Sequence, residues 1–409
     1  MAPDRDIRAA AAETIESLAA IPRLPTSAGE RRAAGLIRDR FAARGCTARI
    51  AEVPAYSSYA APIGTLCAAA AAAGLLAARG RGWRKPAGLA LGALAGAVAA
   101  GGIVDDITGG RMLARAVLMR RRSTTNVIAE AGEPDAARTL VVLVHHDAAP
   151  SGVVFGQYLE RWLAARHPEI VESLTSNPPL WWAVIAGPAL VSLGSAAGLG
   201  RLAGRDLLRW LGVGLSAVSA AALADIARRP AVPGANDNLS GVAVALEVAA
   251  AVAARPVAGL RLLFVSAGAE EALQQGVREF ARAHFGALDP ERTWFLTLDT
   301  VGSGRLVMLE GEGTVRMHDY GAPFKDLVAD CARQAGVPLI RGLRSRNSTD
   351  GTVPHRHGFA TVTLVSVDDR KMLPNYHLYS DTPENVDYRS VISAVRLTEA
   401  VARRLAGPR

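Results

Sequence analysis

VVLVHHDAAPSG, residues 141–152, reads as a short strand whose polar end carries His145 and Asp147. The run before them is apolar throughout, as strands buried on both faces of a parallel sheet are. In sheets of that kind ligands bind beyond the carboxyl ends of the strands, which makes this pair the first members of a candidate site. Working outward, four further stretches carry chemistry in order: PGANDNLSG (233–241), SAGAEEALQQG (266–276), FLTLDTVGSG (295–304) and YHLYSDTPENVDY (376–388). His145, Asp237, Glu271, Asp299 and His377 together offer two imidazoles and three carboxylates. That borderline-hard donor set suits zinc, with cobalt or manganese as alternatives, and can hold two ions. Glu270 is left over as a base.

The rest of the fold follows from the same reading. TARIAEV (47–53), TTNVIAE (124–130), GLRLLFVSA (259–267), RTWFLTLD (292–299) and ATVTLVSV (360–367) are short β-branched runs, the composition of strands. Helical segments are expected at 25–45, 238–254, 277–285 and 324–336. In the first of them Ser27 and Glu30 have capping-box spacing and Gly45 is a stop. Alternation of this kind implies an α/β fold, a mixed, mostly parallel sheet flanked by helices. Glu270 and Glu271, Asp299 and His377 then follow strands as His145 does. Asp237 opens a helix whose free amides can steady its carboxylate. Residues two apart in extended chain share a face, so Asp147 can accept the second imidazole proton of His145.

In order and local spelling these motifs resemble the co-catalytic two-zinc aminopeptidases of clan MH, the group of bacterial leucyl aminopeptidase and aminopeptidase Y. Glutamate carboxypeptidase, glutaminyl cyclase and the transferrin receptor ectodomain are more distant relatives. The resemblance spans residues 5–55, 123–152 and 230–405. It implies a zinc-exopeptidase-like fold and removal of amino-terminal residues from peptide or aminoacyl-amide substrates. It also implies roles: His145 and Asp299 hold one zinc, Glu271 and His377 the other, Asp237 bridges both, Glu270 is the general base, and Asp147 supports His145 from behind. Family members continue the E-E motif with Gly-Leu-Leu-Gly-Ser, whereas here Ala272, Leu273, Gln274 and Gln275 precede Gly276. Asp350 stands near the place of the family's S-D-H loop and, with Tyr376, is a candidate for the substrate pocket. Tyr376 has two readings, a hydrogen bond to a developing oxyanion or simple packing. Two alternatives to the aminopeptidase are another amide hydrolase or glutaminyl-cyclase-like acyltransferase on the same fold, and a catalytically silent membrane scaffold. The base and five ligands together argue against the scaffold.

Half of the 409 residues are hydrophobic and only 5% are aromatic. The excess is alanine-rich and gathered at 61–78, 87–104, 180–200 and 207–226, each block approaching the roughly 18–20 apolar residues that cross a bilayer. The blocks pair as two hairpins through ARGRGWRKP (78–86) and GLGRLAGRD (198–206). Trp83, Trp181, Trp182 and Trp210 stand near block ends, where interfacial indoles belong. Gly88, Gly92 and Gly96 form a stripe for close helix packing in lipid. The expected organisation is a peptidase domain in three parts, 1–58, 107–178 and 228–409, interrupted by transmembrane hairpins at 59–106 and 179–227. The second hairpin accounts for the long interval between His145 and Asp237. The competing reading makes the blocks buried core helices of an enlarged soluble domain.

The net charge of +8 comes from scattered arginines with one dense run at Arg120, Arg121 and Arg122. Beside a span, such a run suits anionic lipid and points to a bilayer partner, not nucleic acid. The three cysteines have no disulfide or metal spacing, and no serine elbow, phosphate loop or dinucleotide fingerprint is present. Residues 1–20 read as an amphipathic helix without a signal peptide's apolar core. With Arg111 and Arg115, this favours an integral membrane protein of the cell membrane with a cytoplasmic catalytic domain; Arg79, Arg81, Arg84 and Lys85 argue the other way. His146 is not expected to be a ligand, and His167, His284, His318, His355 and His357 lack motif support and are expected at the surface or in loops.

Overall fold

Each β-branched run forms a strand, and the polar ends of the central ones meet at one edge. The computed structural model describes residues 3–80 and 84–407. Its first part holds α1 (Asp4–Ala19), α2 (Ala28–Ala43) and β1 (Thr47–Ala55). A helical pair follows, α3 (Ala60–Arg79) and α4 (Arg84–Ile107), then α5 (Leu113–Leu118), β2 (Arg122–Gly132) and β3 (Thr139–His145). Next come α6 (Tyr158–Arg166), α7 (Pro168–Ser173) and a second long pair, α8 (Leu180–Leu199) and α9 (Arg205–Ile226). The last part contains α10 (Leu239–Ala254), β4 (Arg261–Ala267), α11 (Gln275–His284), β5 (Thr293–Leu298), β6 (Arg305–Met308), β7 (Gly311–Glu312), β8 (His318–Asp319), α12 (Ala322–Gln334), α13 (Thr352–Arg356), β9 (Ala360–Val367) and α14 (Tyr388–Ala406).

The main sheet has the order β1-β2-β4-β3-β5-β9-β6. Its central strands β4, β3, β5 and β9 are parallel, while β1, β2 and β6 join antiparallel at the margins. All of β3 is buried, which is why its sequence shows no polar alternation. Leu140, Val142 and Val144 face a core shared with α1, α2, α10 and α14; Val141 and Leu143 face a smaller one with Val277 and Phe280 of α11. The edge strand β6 was not legible in GSGRLVML, where glycines dominate a short run.

The Ser27 Oγ cap on α2 accepts from the Glu30 amide at 3.1 Å, as the capping box requires. The reciprocal arm differs. The Glu30 carboxylate accepts from Thr26 N, Thr124 Oγ1 and, across 239 residues, Ala269 N at 2.8 Å. A residue read as a cap thereby braces the loop before Glu270.

Helices α3, α4, α8 and α9 are long and apolar enough to cross a membrane. They pack on one another through small residues: a Cβ on Gly92 would stand 2.5 Å from Ser195 Oγ, and one on Gly96 2.6 Å from the Pro188 carbonyl. Their outer faces expose Leu76, Leu94, Val98, Leu193, Leu207 and Val218. Trp182 and Trp210 are half exposed; Trp83 and Arg81 lie outside the described residues.

Arg115, expected as a juxtamembrane cation, is instead fully buried. Its Nε donates to Asp106 Oδ1 at 2.6 Å and its Nη1 to the Ala272 carbonyl at 2.5 Å, so the end of α4 grips the loop just past Glu271. Removing one member of such a pair strands the other charge, so Arg115→Ala is expected to destabilise the fold by about 3–5 kcal/mol. A thermal midpoint equal to wild type would contradict a buried pair.

Candidate metal centre

Four loops at the carboxyl ends of β3, β4, β5 and β9, with the segment entering α10, bring the sequence candidates together. One ligand atom from each of His145, Asp237 and Glu271 lies within 4.8 Å of the other two. Asp237 faces both ways: Oδ1 is 3.3 Å from His145 Nε2, and Oδ2 is 3.4 Å from His377 Nε2. His377 Nε2 is also 3.2 Å from Glu271 Oε2. Asp299 stands outside the tight trio, yet its carboxyl group feels the charges of His145, Asp237 and Glu271.

Asp147 lies 3.5 Å from His145 Nδ1, too far for a well-formed hydrogen bond. Its firmer contacts are the amides of Glu270 and Glu271, which donate to Oδ1 and Oδ2 at 3.0 Å each. The H-x-D and E-E motifs are thus joined through one carboxylate. Within that turn Ala269, Leu273 and Gln274 have positive φ, as has His377. Left-handed backbone at non-glycine residues costs of order 1–3 kcal/mol and collects at functional sites.

The helix cap of α10 is Asn238, whose Oδ1 accepts from Gly241 N at 3.2 Å. Asp237 therefore precedes the cap and turns its carboxylate away from the helix amides toward the histidines. Its backbone is fixed by Asp381, which accepts from Asn236 N and Asp237 N at 2.8 and 3.0 Å. Beneath lies Arg23, fully buried, donating to the carbonyls of His146, Pro233 and Gly234 at 2.9, 2.6 and 2.6 Å. Sequence reasoning missed Arg23, Glu30 and Asp381. Only Asp381 left a signal, as the acidic residue four after His377.

Charge in this pocket is unbalanced toward the negative. Burial pushes the Glu270 and Asp299 carboxyls well above the usual carboxylate range, His145 opposing and neighbouring acids adding to the shift. Asp350, also by burial, is pushed up to about 7. Burial alone would lower the imidazoles, yet Asp147 and Asp237 hold His145 well above its ordinary value, and Glu271 with Asp237 takes His377 up to about 10. Asp237 is held below the usual range because contacts from both histidines outweigh its burial. The pocket favours added positive charge, as protons or as metal. Among the described residues, buried His377 Nε2, Asp237 Oδ2 and Glu271 Oε1 have no hydrogen-bond partner, and orphaned buried donors and acceptors are costly. Nitrogen and carboxylate donors so placed fit zinc.

Both Asp350 oxygens are likewise buried and, among the described residues, unpartnered. Tyr376 stacks on His377 with ring centroids 3.8 Å apart, and burial among Asp237, Glu271 and Glu270 holds its phenol well above the ordinary value. Packing and donation both remain available to it. His146 is buried with Nδ1 3.0 Å from Ser266 Oγ. His284, His355 and His357 do not lie free: each packs against an aromatic ring, Phe280, Tyr320 and Phe285 respectively.

Replacing Asp381 by asparagine should weaken zinc binding about 10- to 100-fold, the usual cost of losing a supporting group behind a ligand. Competition with a chromophoric chelator would measure it, and unchanged affinity would remove Asp381 from the site.

Residues 219–402 match peptidase family M28. That span includes Asp237, Glu270, Glu271, Asp299 and His377 and leaves out His145 and Asp147. No curated protein matches. In fold, the chain is similar to glutaminyl cyclase from Bacteroides thetaiotaomicron, at 13% identity over 97% of each chain with a TM-score of 0.56. It is similar to an aminopeptidase from Aneurinibacillus sp. strain AM-1, at 15% identity over 98% of this chain and 95% of that one, TM-score 0.53. A zinc aminopeptidase from Bacillus subtilis gives 15% identity, 97% and 94% coverage, and a TM-score of 0.53.

Proposed function

We propose, from the premise that this chain is a metal-dependent peptidase of the M28 kind, that it is a membrane-anchored aminopeptidase using two zinc ions. The observation that carries this reading is the Asp237 carboxylate, with one oxygen toward His145 and the other toward His377. The ligands would be His145 and Asp299 on one side, Glu271 and His377 on the other, with Asp237 shared. When bound, the metals supply Lewis acidity that polarises the scissile carbonyl and acidifies a water. Glu270, beside the ligands but not among them, takes a proton from the attacking water and returns it to the leaving amine as the C–N bond breaks. Gln274 Nε2, held by the Ser348 carbonyl at 2.7 Å, lies 3.4 Å from Glu270 Oε1 and limits its swing. Tyr376 keeps its phenolic proton and can donate to the carbonyl oxygen. Asp350 offers a carboxylate to a substrate ammonium.

Membrane anchoring is supported by the four long apolar helices and their uncovered outer faces. Exposed Arg111, Arg120, Arg121 and Arg122 follow α4 on the catalytic side, and cytoplasmic loops carry such an excess, so we place that domain in the cytoplasm.

The test is metal content and turnover of detergent-purified protein on a panel of aminoacyl amides. Two zinc ions per chain are expected, with activity lost to chelator and restored by zinc. A glutaminyl peptide belongs in the panel because of the likeness to a glutaminyl cyclase. Its cyclisation with release of ammonia, without cleavage of any other substrate, would favour acyl transfer. Bound zinc with no turnover would favour the scaffold.

A further inference from the structure

The metal centre lies against the end of the helical bundle. Phe155 meets His377 edge-on with ring centroids 4.5 Å apart, and the same ring packs on the cluster formed by Ile63, Ile107 and Ile226 at the ends of α3, α4 and α9. Leu273, two residues past Glu271, joins that cluster. Tyr59, just before α3, packs edge-on against Trp181 of α8 at 5.5 Å. The 153–155 turn is tied to α9 by Val153 N donating to Asp225 Oδ2 at 2.9 Å. All four long helices therefore start or finish within a few residues of groups that touch the site.

Around this end the surface is apolar well beyond the helices themselves. In α5, Leu113, Val117 and Leu118 are exposed, Val117 by 83%, and Arg120, Arg121 and Arg122 follow directly. On the segment between β3 and α8, Val154, Tyr158 and Trp162 are exposed, Tyr158 by 81%. Short helices with apolar and aromatic faces and adjacent arginines lie in the headgroup layer of a bilayer. Val154 is the neighbour of Phe155, so this strip runs from the membrane helices to the ring on His377.

Resting on the peptidase reading, we infer that the substrates are peptides already held at the bilayer, whose free amino termini reach the metal centre at the lipid surface while an apolar segment behind them stays in the membrane. The occupant of the exposed strip is the lipid headgroup layer. It is continuous with the bundle, and its arginines complement anionic lipid.

The full-length, zinc-loaded enzyme in nanodiscs containing anionic lipid is given two peptides with the same first four residues, one soluble and one ending in a membrane-inserting apolar tail. Confinement to one surface raises effective concentration, so kcat/KM should be about 10²-fold higher for the tailed peptide. A dye on Tyr158→Cys should be quenched by brominated lipid. The combined Val154→Ser, Tyr158→Ser and Trp162→Ser variant should cut the soluble peptide at the wild-type rate and lose the part of the preference for the tail that depends on seating the strip in the headgroups, while the anchoring helices stay in place. Equal kcat/KM for both peptides, or a preference unchanged in that variant, overturns the inference and leaves the peptidase intact. Cleavage of neither peptide defeats the peptidase reading and the inference together.

Discussion

Glu270→Ala is expected to lower kcat/KM on any peptide substrate by about 10²–10⁴-fold, the usual contribution of a positioned acid–base group, while zinc content stays at the wild-type value. The two halves of that result separate Glu270 from its neighbour. Glu271 contacts His377 and belongs to the trio of converging ligand atoms, whereas the Glu270 carboxylate takes a hydrogen bond from Gln274 and lies outside that trio. Glu271→Ala should therefore lose metal and activity together, and Glu270→Ala activity alone. Glu270→Gln keeps the shape and removes the basic carboxylate that must accept the water proton, so it should match alanine in rate. Metal analysis of purified protein beside initial rates decides the matter. Loss of zinc from Glu270→Ala, or a rate within a few fold of wild type, would reassign the base.

The parts of this site that the sequence revealed are those in which chemistry and local structure coincide. A carboxylate or imidazole just past an apolar run announces both a strand and a candidate ligand, and His145, Glu271 and Asp299 are of that type, whereas His377 lies in a loop well beyond β9 and was legible only through the YHLYSDT stretch around it. The parts it concealed are set by partners far away in the chain. Arg23 and Glu30 look like residues of an ordinary amphipathic helix and its approach; their roles arise only when the fold carries Arg23 to the Gly234 carbonyl and Glu30 to the Ala269 amide. Arg115 shows the same effect in reverse, since a cation beside an apolar block satisfies a compositional rule and is nevertheless consumed by Asp106 and Ala272. At Asp237 the reading failed by a single residue, because both it and Asn238 are good caps and only packing decides which one turns toward the histidines. The long helices were legible because length and hydrophobicity need no partner. Their closeness to the metal centre was not, because Phe155 and Tyr59 carry no motif.

Asp237→Ala should be the most damaging single change at the metal centre. Its two oxygens serve different imidazoles, so one substitution withdraws a ligand from each proposed zinc. Asp381 fixes the amides of Asn236 and Asp237, and Arg23 holds the Pro233 and Gly234 carbonyls just before them, and that framework remains when the carboxylate is gone. The protein should therefore elute as wild type does while its zinc falls from about two per chain to less than one. His145→Ala and His377→Ala, by contrast, should each cost about one ion, because each imidazole serves only one side. Lewis-acid stabilisation is worth several kcal/mol, and about 1.4 kcal/mol is tenfold in rate, so activity should fall on the order of 10³-fold. Adding excess zinc separates weakened binding from lost chemistry: recovery in the histidine variants but not in Asp237→Ala would show that the shared carboxylate organises both ions. Retention of two zinc ions by Asp237→Ala would break the bridging assignment and leave His145 and His377 to separate, independent sites.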